Sequence, residues 1–420
     1  MARGSLMMIS VVIFIFLVID IYVFQGLKIL VSSWSQGNRK FIYLFYWALT
    51  AAAIVFFLAF RFGNPDKWSR LARTFMFAFI VVNYFTKIFF VIILLIDDLT
   101  RLIRWVFQKF TNVVQNNPLS VGPPIPRSEF LTKLALVIAS IPFFSMLYGI
   151  IFGAHDYRVR KVKIASKNLP ASFDGLKIVQ ISDIHSGSFY NKSAVKRGVE
   201  LILKQQADII FFTGDLVNNI ASEIEEYIEV FDKLKAPMGV YSTLGNHDYG
   251  DYIQWDSLED KKNNLQQLIK AHGRMGWNLL MNENRIFERN GEKIALLGIE
   301  NWGAGKRWPK HGRLDLAHAG IENIPFKLLL SHDPSHWDAQ VRPEYKDIDL
   351  MLSGHTHGFQ FGVEIAGIKW SPVQYVYKQW AGLYKEGEQQ LYVNRGFGFI
   401  GFPGRVGMPP EITLIELKKA

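Results

Sequence analysis

The sequence predicts a composite fold: a four-helix transmembrane region followed by an α/β domain whose sheets are covered by helices. Two patterns carry that expectation. Residues 1–155 concentrate the apolar excess in four long windows, whereas residues 156–420 alternate short apolar runs with amphipathic helices. At 420 residues, with half the chain hydrophobic and 14% aromatic, the protein is too long and too apolar for one ordinary soluble domain.

The windows are Met7 to Val31, Phe41 to Phe60, Phe75 to Ile96 and Phe130 to Phe152. Each supplies the roughly 20 residues that a helix rising 1.5 Å per residue needs to cross a hydrocarbon core about 30 Å thick. They are apolar all round, unlike amphipathic packing helices. The first is not read as a cleaved signal, because it is too long, contains Asp20, lacks a small-residue cleavage site and precedes three further spans. Asp20 and Lys87 both fall mid-span, where charge is costly, and are expected to pair. After the third window, "DDLTRLIRWVFQKFTNVVQ" has a helical stripe of Leu99, Ile103, Val106, Phe107 and Phe110. It either lies along the membrane surface or extends the third span. The following "NNPLSVGPPIP", with four prolines, reads as an extended connector.

Charge separates the two halves. Up to residue 167, 19 Lys and Arg stand against 6 Asp and Glu; beyond it the numbers are 28 and 31. The basic excess therefore belongs to the membrane half, which argues against a nucleic-acid partner. Arg3, Arg61, Lys67, Arg70, Arg73, Arg158, Arg160, Lys161, Lys163 and Lys167 lie on one side of four spans. Arg39, Lys40, Arg101, Arg104, Lys109 and Arg127 lie on the other. The larger set predicts a multi-pass membrane protein with its α/β domain in the cytoplasm. The chain has no cysteine, so disulfides and thiolate metal sites are excluded.

Eight apolar runs read as strands: 176–182, 208–213, 239–244, 293–299, 326–331, 348–353, 390–394 and 412–417. Between them, "SEIEEYIEVFDKLK" places Ile224, Tyr227, Ile228, Phe231 and Leu234 on one helical face. Five strand ends carry ligand-type residues: Asp183 and His185 in "DIH", Asp215 in "GD", Asn246, His247 and Asp248 in "GNHD", His332 in "SHDP", and His355 and His357 in "GHTH". In sheets of this kind the carboxyl ends of strands line one crevice, so these residues converge. Carboxylates, an amide and imidazoles without thiolate suit divalent Mn, Fe or Zn, and the set is too large for a single ion. It asks for a two-metal site with Asp215 shared. Gly214, Gly245 and Gly354 mark the bends where the chain passes close to the ions. The five remaining histidines, His155, His272, His311, His318 and His336, are expected to be structural.

These motifs, met in order, resemble those of the calcineurin-like metallophosphoesterase family over roughly residues 170–418. The resemblance is strongest to the membrane-associated YkuE-type branch, which ends in a segment similar to "LYVNRGFGFIGFPGRVGMPPEITLIEL". It implies an α+β domain built as an α-β-β-α sandwich. It also implies that Asp183, His185 and His357 hold one metal, that Asn246, His332 and His355 hold the other, and that Asp215 bridges. His247 would meet the substrate phosphate, oriented by Asp248. Where that branch has a second glycine after Gly-His-x-His, this chain has Phe359.

The expected function is a membrane-anchored two-metal hydrolase of a phosphodiester, phosphoanhydride or phosphomonoester, with the bilayer as partner and a lipid or lipid-linked headgroup as substrate. Hydrolysis of a soluble nucleotide or nucleic acid is the alternative within the enzyme class, and a non-enzymatic metal-stabilised scaffold the alternative outside it. Downstream of His357 the chain is rich in rings: Phe359, Phe361, Trp370, Tyr375, Tyr377, Trp380, Tyr384, Phe397, Phe399 and Phe402. They read either as an apolar rim admitting a lipid phosphate or as the core of a terminal subdomain. Arg395 and Arg405 are candidates for the substrate phosphate or for surface carboxylates.

Overall fold

The computed structural model describes residues 2–63, 68–114, 128–305, 309–365 and 367–420. The proline-rich connector, Lys67 and Arg127 lie outside the described residues. The chain divides into two compact units, Met1–Tyr148 and Gly149–Ala420.

In the first unit, α1 (Ala2–Leu30), α2 (Gln36–Phe62), α3 (Arg70–Val114) and the start of α4 (Glu129–Ile151) coincide with the four apolar windows. All four helices are long and apolar enough to cross a membrane. The 45 residues of α3 would measure about 67 Å at 1.5 Å each, roughly twice a hydrocarbon core. The stripe after Asp97 therefore extends the third span rather than forming a separate surface helix. Val23, Phe90, Leu94, Ala135 and Ala139 make a small shared core. Asp20 is fully buried and its carboxylate takes Lys87 Nζ together with the hydroxyls of Tyr46 and Tyr84, each at 2.9 Å. The expected intramembrane pair is present.

The second unit contains two six-stranded sheets. The first runs β1 (Arg158–Ser166), β14 (Glu411–Lys419), β2 (Lys177–Ile181), β3 (Ile209–Thr213), β4 (Val240–Thr243), β5 (Asn278–Leu279). The second runs β12 (Gly382–Glu386), β13 (Gln389–Val393), β9 (Leu350–Ser353), β8 (Phe326–Leu330), β7 (Glu292–Gly298), β6 (Glu283–Arg289). Strands β2 to β5 are parallel, as are β13, β9, β8 and β7.

Alternation along these strands builds three cores. Ile178, Ile209 and Phe211 face Leu296, Leu328, Leu330, Leu350 and Leu352 between the sheets. Val179, Ile181, Ile210 and Phe212 turn outward against α5 (Lys192–Leu203), α6 (Ile228–Phe231) and α7 (Leu258–Arg274). Leu297, Leu329, Met351 and Leu391 turn outward against α8 (Leu314–His318), Trp337 and Val341. Strands buried on both faces read as unbroken apolar runs, which is why the sequence announced the central ones. The layers are α-β-β-α.

One expectation is modified, and one set of residues gains a second role. Residues 222–235 present Ile224, Tyr227, Phe231 and Leu234 to the core, but as a 3₁₀ segment followed by the four-residue α6 rather than one long helix. Glu223 turns back to accept the amides of Asn218 and Ile220, which tightens the start. Arg158, Arg160, Lys161 and Lys163, read as topology-setting charges, belong to edge strand β1, where basic side chains also discourage edge-to-edge pairing.

Candidate metal centre

Five strands deliver the ligand-type residues at the same ends. Asp183 and His185 follow β2, Asp215 follows β3, Asn246 follows β4, His332 follows β8, and His355 and His357 follow β9. Ligand atoms of Asp183, His185 and His357 all lie within 4.8 Å of one another, as do those of Asp215, His332 and His355. Asn246 Oδ1 stands 2.8 Å from His355 Nδ1 and so joins the second group. Asp215 Oδ2 is 3.1 Å from His332 Nε2 and 3.6 Å from His185 Nε2, touching both groups. All seven expected ligands are brought together.

The backbone is bent to achieve this. Asp183, His185, Asp215, His355 and His357 have φ of 50°, 47°, 62°, 73° and 53°, the left-handed region that side-chain-bearing residues avoid. Such conformations persist only where surrounding structure enforces them, and they cluster at functional sites. Gly354 shows the crowding: a Cβ there would stand 1.7 Å from Ser182 Oγ. Gly214 has φ of 92°, and a Cβ on it would press on His332 Nδ1 at 2.8 Å.

Hydrogen bonds fix which ring nitrogens face inward. His185 Nδ1 donates to the Val217 carbonyl at 3.2 Å and His332 Nδ1 to the Thr213 carbonyl at 2.7 Å. A carbonyl only accepts, so both Nδ1 atoms carry the proton and Nε2 is left for the cluster. His332 Nε2 can then sit 3.1 Å from the Asp215 carboxylate only with a second proton or a cation between them. The same demand appears in the charges. Burial works against it, yet Asp215 and Asp183 raise His332 to about 10. Burial opposes ionisation of Asp215 too, but His332, His247 and His185 hold it well below the carboxylate range. Burial pushes Asp183 up to about 7 and His185 down to about 3. Inward-turned imidazoles, two carboxylates and an amide oxygen form a donor set suited to two divalent ions.

His247 is half-buried beside the cluster. Its amide donates to Asp215 Oδ1 at 2.8 Å, and its Nδ1 donates to the Asn218 carbonyl at 2.7 Å. Asp248 does not orient this ring, contrary to the expectation. Its carboxylate accepts the amides of Gly245 and Asp215 with one oxygen and those of Leu216 and Val217 with the other. It therefore pins the β3 and β4 turns to each other, and Asn218 takes over the orienting role. Arg395 and Arg405 are corrected as well. Arg395 is committed to Glu411 and Glu364. Arg405, 2% exposed, spends its guanidinium on carbonyls of Gly398, Arg395, Gly396 and Met408. Both are structural and neither is offered to a phosphate.

The aromatic tail divides. Phe397 and Phe399 are core residues against Phe189, whereas Phe359, Trp370 and Tyr375 are exposed. Sequence reasoning missed two positioning tyrosines. The Tyr252 hydroxyl accepts from Asn246 Nδ2 at 2.5 Å, which directs the amide oxygen to the cluster, and its ring stacks on His247 with centroids 4.2 Å apart. The Tyr377 hydroxyl lies 2.7 Å from His355 Nε2. Only Tyr377 lay in a stretch the sequence had flagged. The other histidines make structural contacts: His272 bonds Ser242, His336 bonds Ser331 and Gln340, His318 bonds Asp347, His311 stacks on Tyr249, and His155 packs against Tyr190 and Phe399.

Comparison with known proteins gives the class. Residues 176–359 match the calcineurin-like phosphoesterase model, and residues 3–154 match a model described as a probable calcineurin-like phosphoesterase transmembrane domain. The chain belongs to the calcineurin-like phosphoesterase family, a class of metal-dependent phosphoester hydrolases, and is a membrane protein. It is 32% identical over 269 residues to the uncharacterized metallophosphoesterase YkuE of Bacillus subtilis, covering 63% of this chain and 86% of that one. A zebrafish (Danio rerio) transmembrane protein with metallophosphoesterase domain is 33% identical over 69% of this chain, and the match spans 63% of that relative's length. Phosphodiesterase YaeI of Escherichia coli is 28% identical over 70% of this chain and 99% of its own.

Proposed function

We propose that the protein is a membrane-anchored two-metal phosphoesterase that hydrolyses a phosphodiester, phosphoanhydride or phosphomonoester in a lipid or lipid-linked headgroup. The observation that carries this reading is the meeting of seven ligand side chains from five strand ends, with Asp215 touching both groups. Four membrane-crossing helices in the same chain support a substrate that resides in the bilayer. The likeness to an Escherichia coli protein named as a phosphodiesterase favours a diester.

Asp183, His185 and His357 would hold one ion, Asn246, His332 and His355 the other, and Asp215 would be shared. When bound, two divalent ions neutralise phosphoryl oxygens and lower the pKa of water to give a nucleophile near neutral pH. The chain's residues do the rest. His185 and His332 keep their protons on Nδ1 and turn Nε2 inward. Tyr252 fixes the Asn246 amide, and Asn218 holds the proton of His247 on Nδ1 and fixes the ring, so that Nε2, once it too carries a proton, donates to a phosphoryl oxygen or the departing alkoxide.

Mn, Fe and Zn are the ions to load. We place the domain on the cytoplasmic side, because more basic residues flank that side of the spans.

The test is hydrolysis of a chromogenic phosphodiester and phosphomonoester, and then of phospholipid in mixed micelles, by detergent-purified full chain with Mn²⁺ or chelator. Metal-dependent turnover that Asp215→Asn removes is the expected result. Bound metal with no turnover of any ester would sink the enzyme reading and leave the scaffold.

A further inference from the structure

One surface of the second unit has its polarity reversed. β10 (Val363–Ile365) and β11 (Ile368–Trp370) pair antiparallel in a two-stranded sheet separate from both large sheets. The register sets Val363 opposite Trp370, Glu364 opposite Lys369 and Ile365 opposite Ile368. Side chains alternate along a strand, so Val363, Ile365, Ile368 and Trp370 share one face and Glu364 and Lys369 the other.

The polar face is the one turned to the protein. Glu364 pairs with Arg160 and, at 3.1 Å, with Arg395. Lys369 Nζ donates to the Ala381 carbonyl and lies over the Trp380 ring, 4.4 Å from its centroid. The apolar face is the one turned away. Ile365 is 70% and Ile368 67% exposed, while Val363 and Trp370 are also exposed. Large apolar exposure continues on the flanking segments, at Phe359 before the hairpin and at Tyr375 and Val376 after it. A hairpin at a water surface has the opposite arrangement, with apolar residues against the core and charges outside.

We propose that this hairpin, with Phe359, Tyr375 and Val376, seats in the interfacial layer of the lipid bilayer. Three observations select lipid as the occupant. Four spans in the same chain hold the domain permanently at a membrane, where a weak surface contact becomes effectively intramolecular. Trp370 and Tyr375 are the ring types that favour the boundary between headgroups and acyl chains. Both charged side chains of the hairpin are engaged on its inner face, Glu364 by two arginines and Lys369 by a carbonyl and a ring, so the face offered to lipid carries no hairpin charge.

The segment is also bracketed by the metal centre. His357 precedes Phe359 by two residues, and Tyr377, which touches His355, directly follows Val376. Seating the segment brings headgroups beside the metal cluster. The docking itself does not require that the substrate be a lipid, so its test is independent of turnover.

The chain has no cysteine, so single cysteines can be labelled cleanly. Full-length Ile365→Cys and Ile368→Cys, and Glu388→Cys as an exposed control, would carry an environment-sensitive fluorophore. They would be reconstituted in vesicles of phosphatidylethanolamine and phosphatidylglycerol. The expected result is blue-shifted emission at 365 and 368 that brominated acyl chains quench, with neither effect at 388. Emission at 365 and 368 as water-like as at 388 overturns the proposal. So does concentration-dependent self-quenching without quenching by brominated lipid, which would assign the face to a second copy of the chain.

Discussion

Asp20 in the membrane unit and Asp215 in the second unit are both buried carboxylates, and their surroundings differ in one respect. Asp20 meets a built-in cation, Lys87, and two tyrosine hydroxyls complete its shell. Asp215 meets His185, His332 and, through the His247 amide, the turn after β4, but no lysine or arginine pairs with it among the described residues. One cluster closes its own electrostatics and the other leaves them open. The difference separates a polar cluster that holds helices together from one that requires something from solution.

The sharpest way to break this comparison is Asp215→Asn, which removes the ligand both groups share. Turnover should fall more than about a thousandfold, and bound metal measured by elemental analysis should fall with it. Full metal occupancy in that variant would show that the two groups are not linked through Asp215.

The closed cluster should fail differently. Lys87→Met strands a buried carboxylate and should destabilise the chain by about 3 to 5 kcal/mol, read as thermal unfolding in detergent. Adding Asp20→Leu should recover much of that loss. If the single change is harmless, the ion pair is not what holds the helices.

His247→Gln separates chemistry from metal binding. It should lower turnover roughly a hundredfold while metal content stays unchanged. Loss of metal would make His247 a ligand.

The smallest effect is expected at Tyr252→Phe. The amide of Asn246 loses its acceptor, and affinity for the second ion should weaken about tenfold in Mn²⁺ titrations, with little change in stability. An unaltered titration would show that the Tyr252 hydroxyl does not position Asn246.

Much of the centre was legible because its residues sit at the ends of buried strands, where an apolar run stops and a ligand-type residue follows. β2, β3, β4, β8 and β9 could each be placed that way. What a motif cannot show is the second sphere. Asp248 is adjacent to His247 in sequence, yet its carboxylate turns to backbone amides, and the carbonyl that holds the ring comes from Asn218. Arg395 and Arg405 looked available because sequence does not show burial. The strands that escaped notice lie at edges or outside the large sheets: β1, β6 and β12 mix charges with apolar residues, β5 is two residues long, and β10 and β11 are three residues each with their polarity reversed. Nothing in one-dimensional spacing distinguishes that reversal from an ordinary hairpin.

The position of β14 bears on how the chain is made. It lies between β1 and β2, so the strand spanning 411–419 separates two strands translated some 250 residues earlier. While the ribosome is still at work, β1 has no partner and β2 has one edge bare, although the helices before them are available for insertion. Nascent chains thus carry an unfinished sheet at the membrane until β14 emerges, and a chain stopped short of it leaves β1 and β2 open to its neighbours.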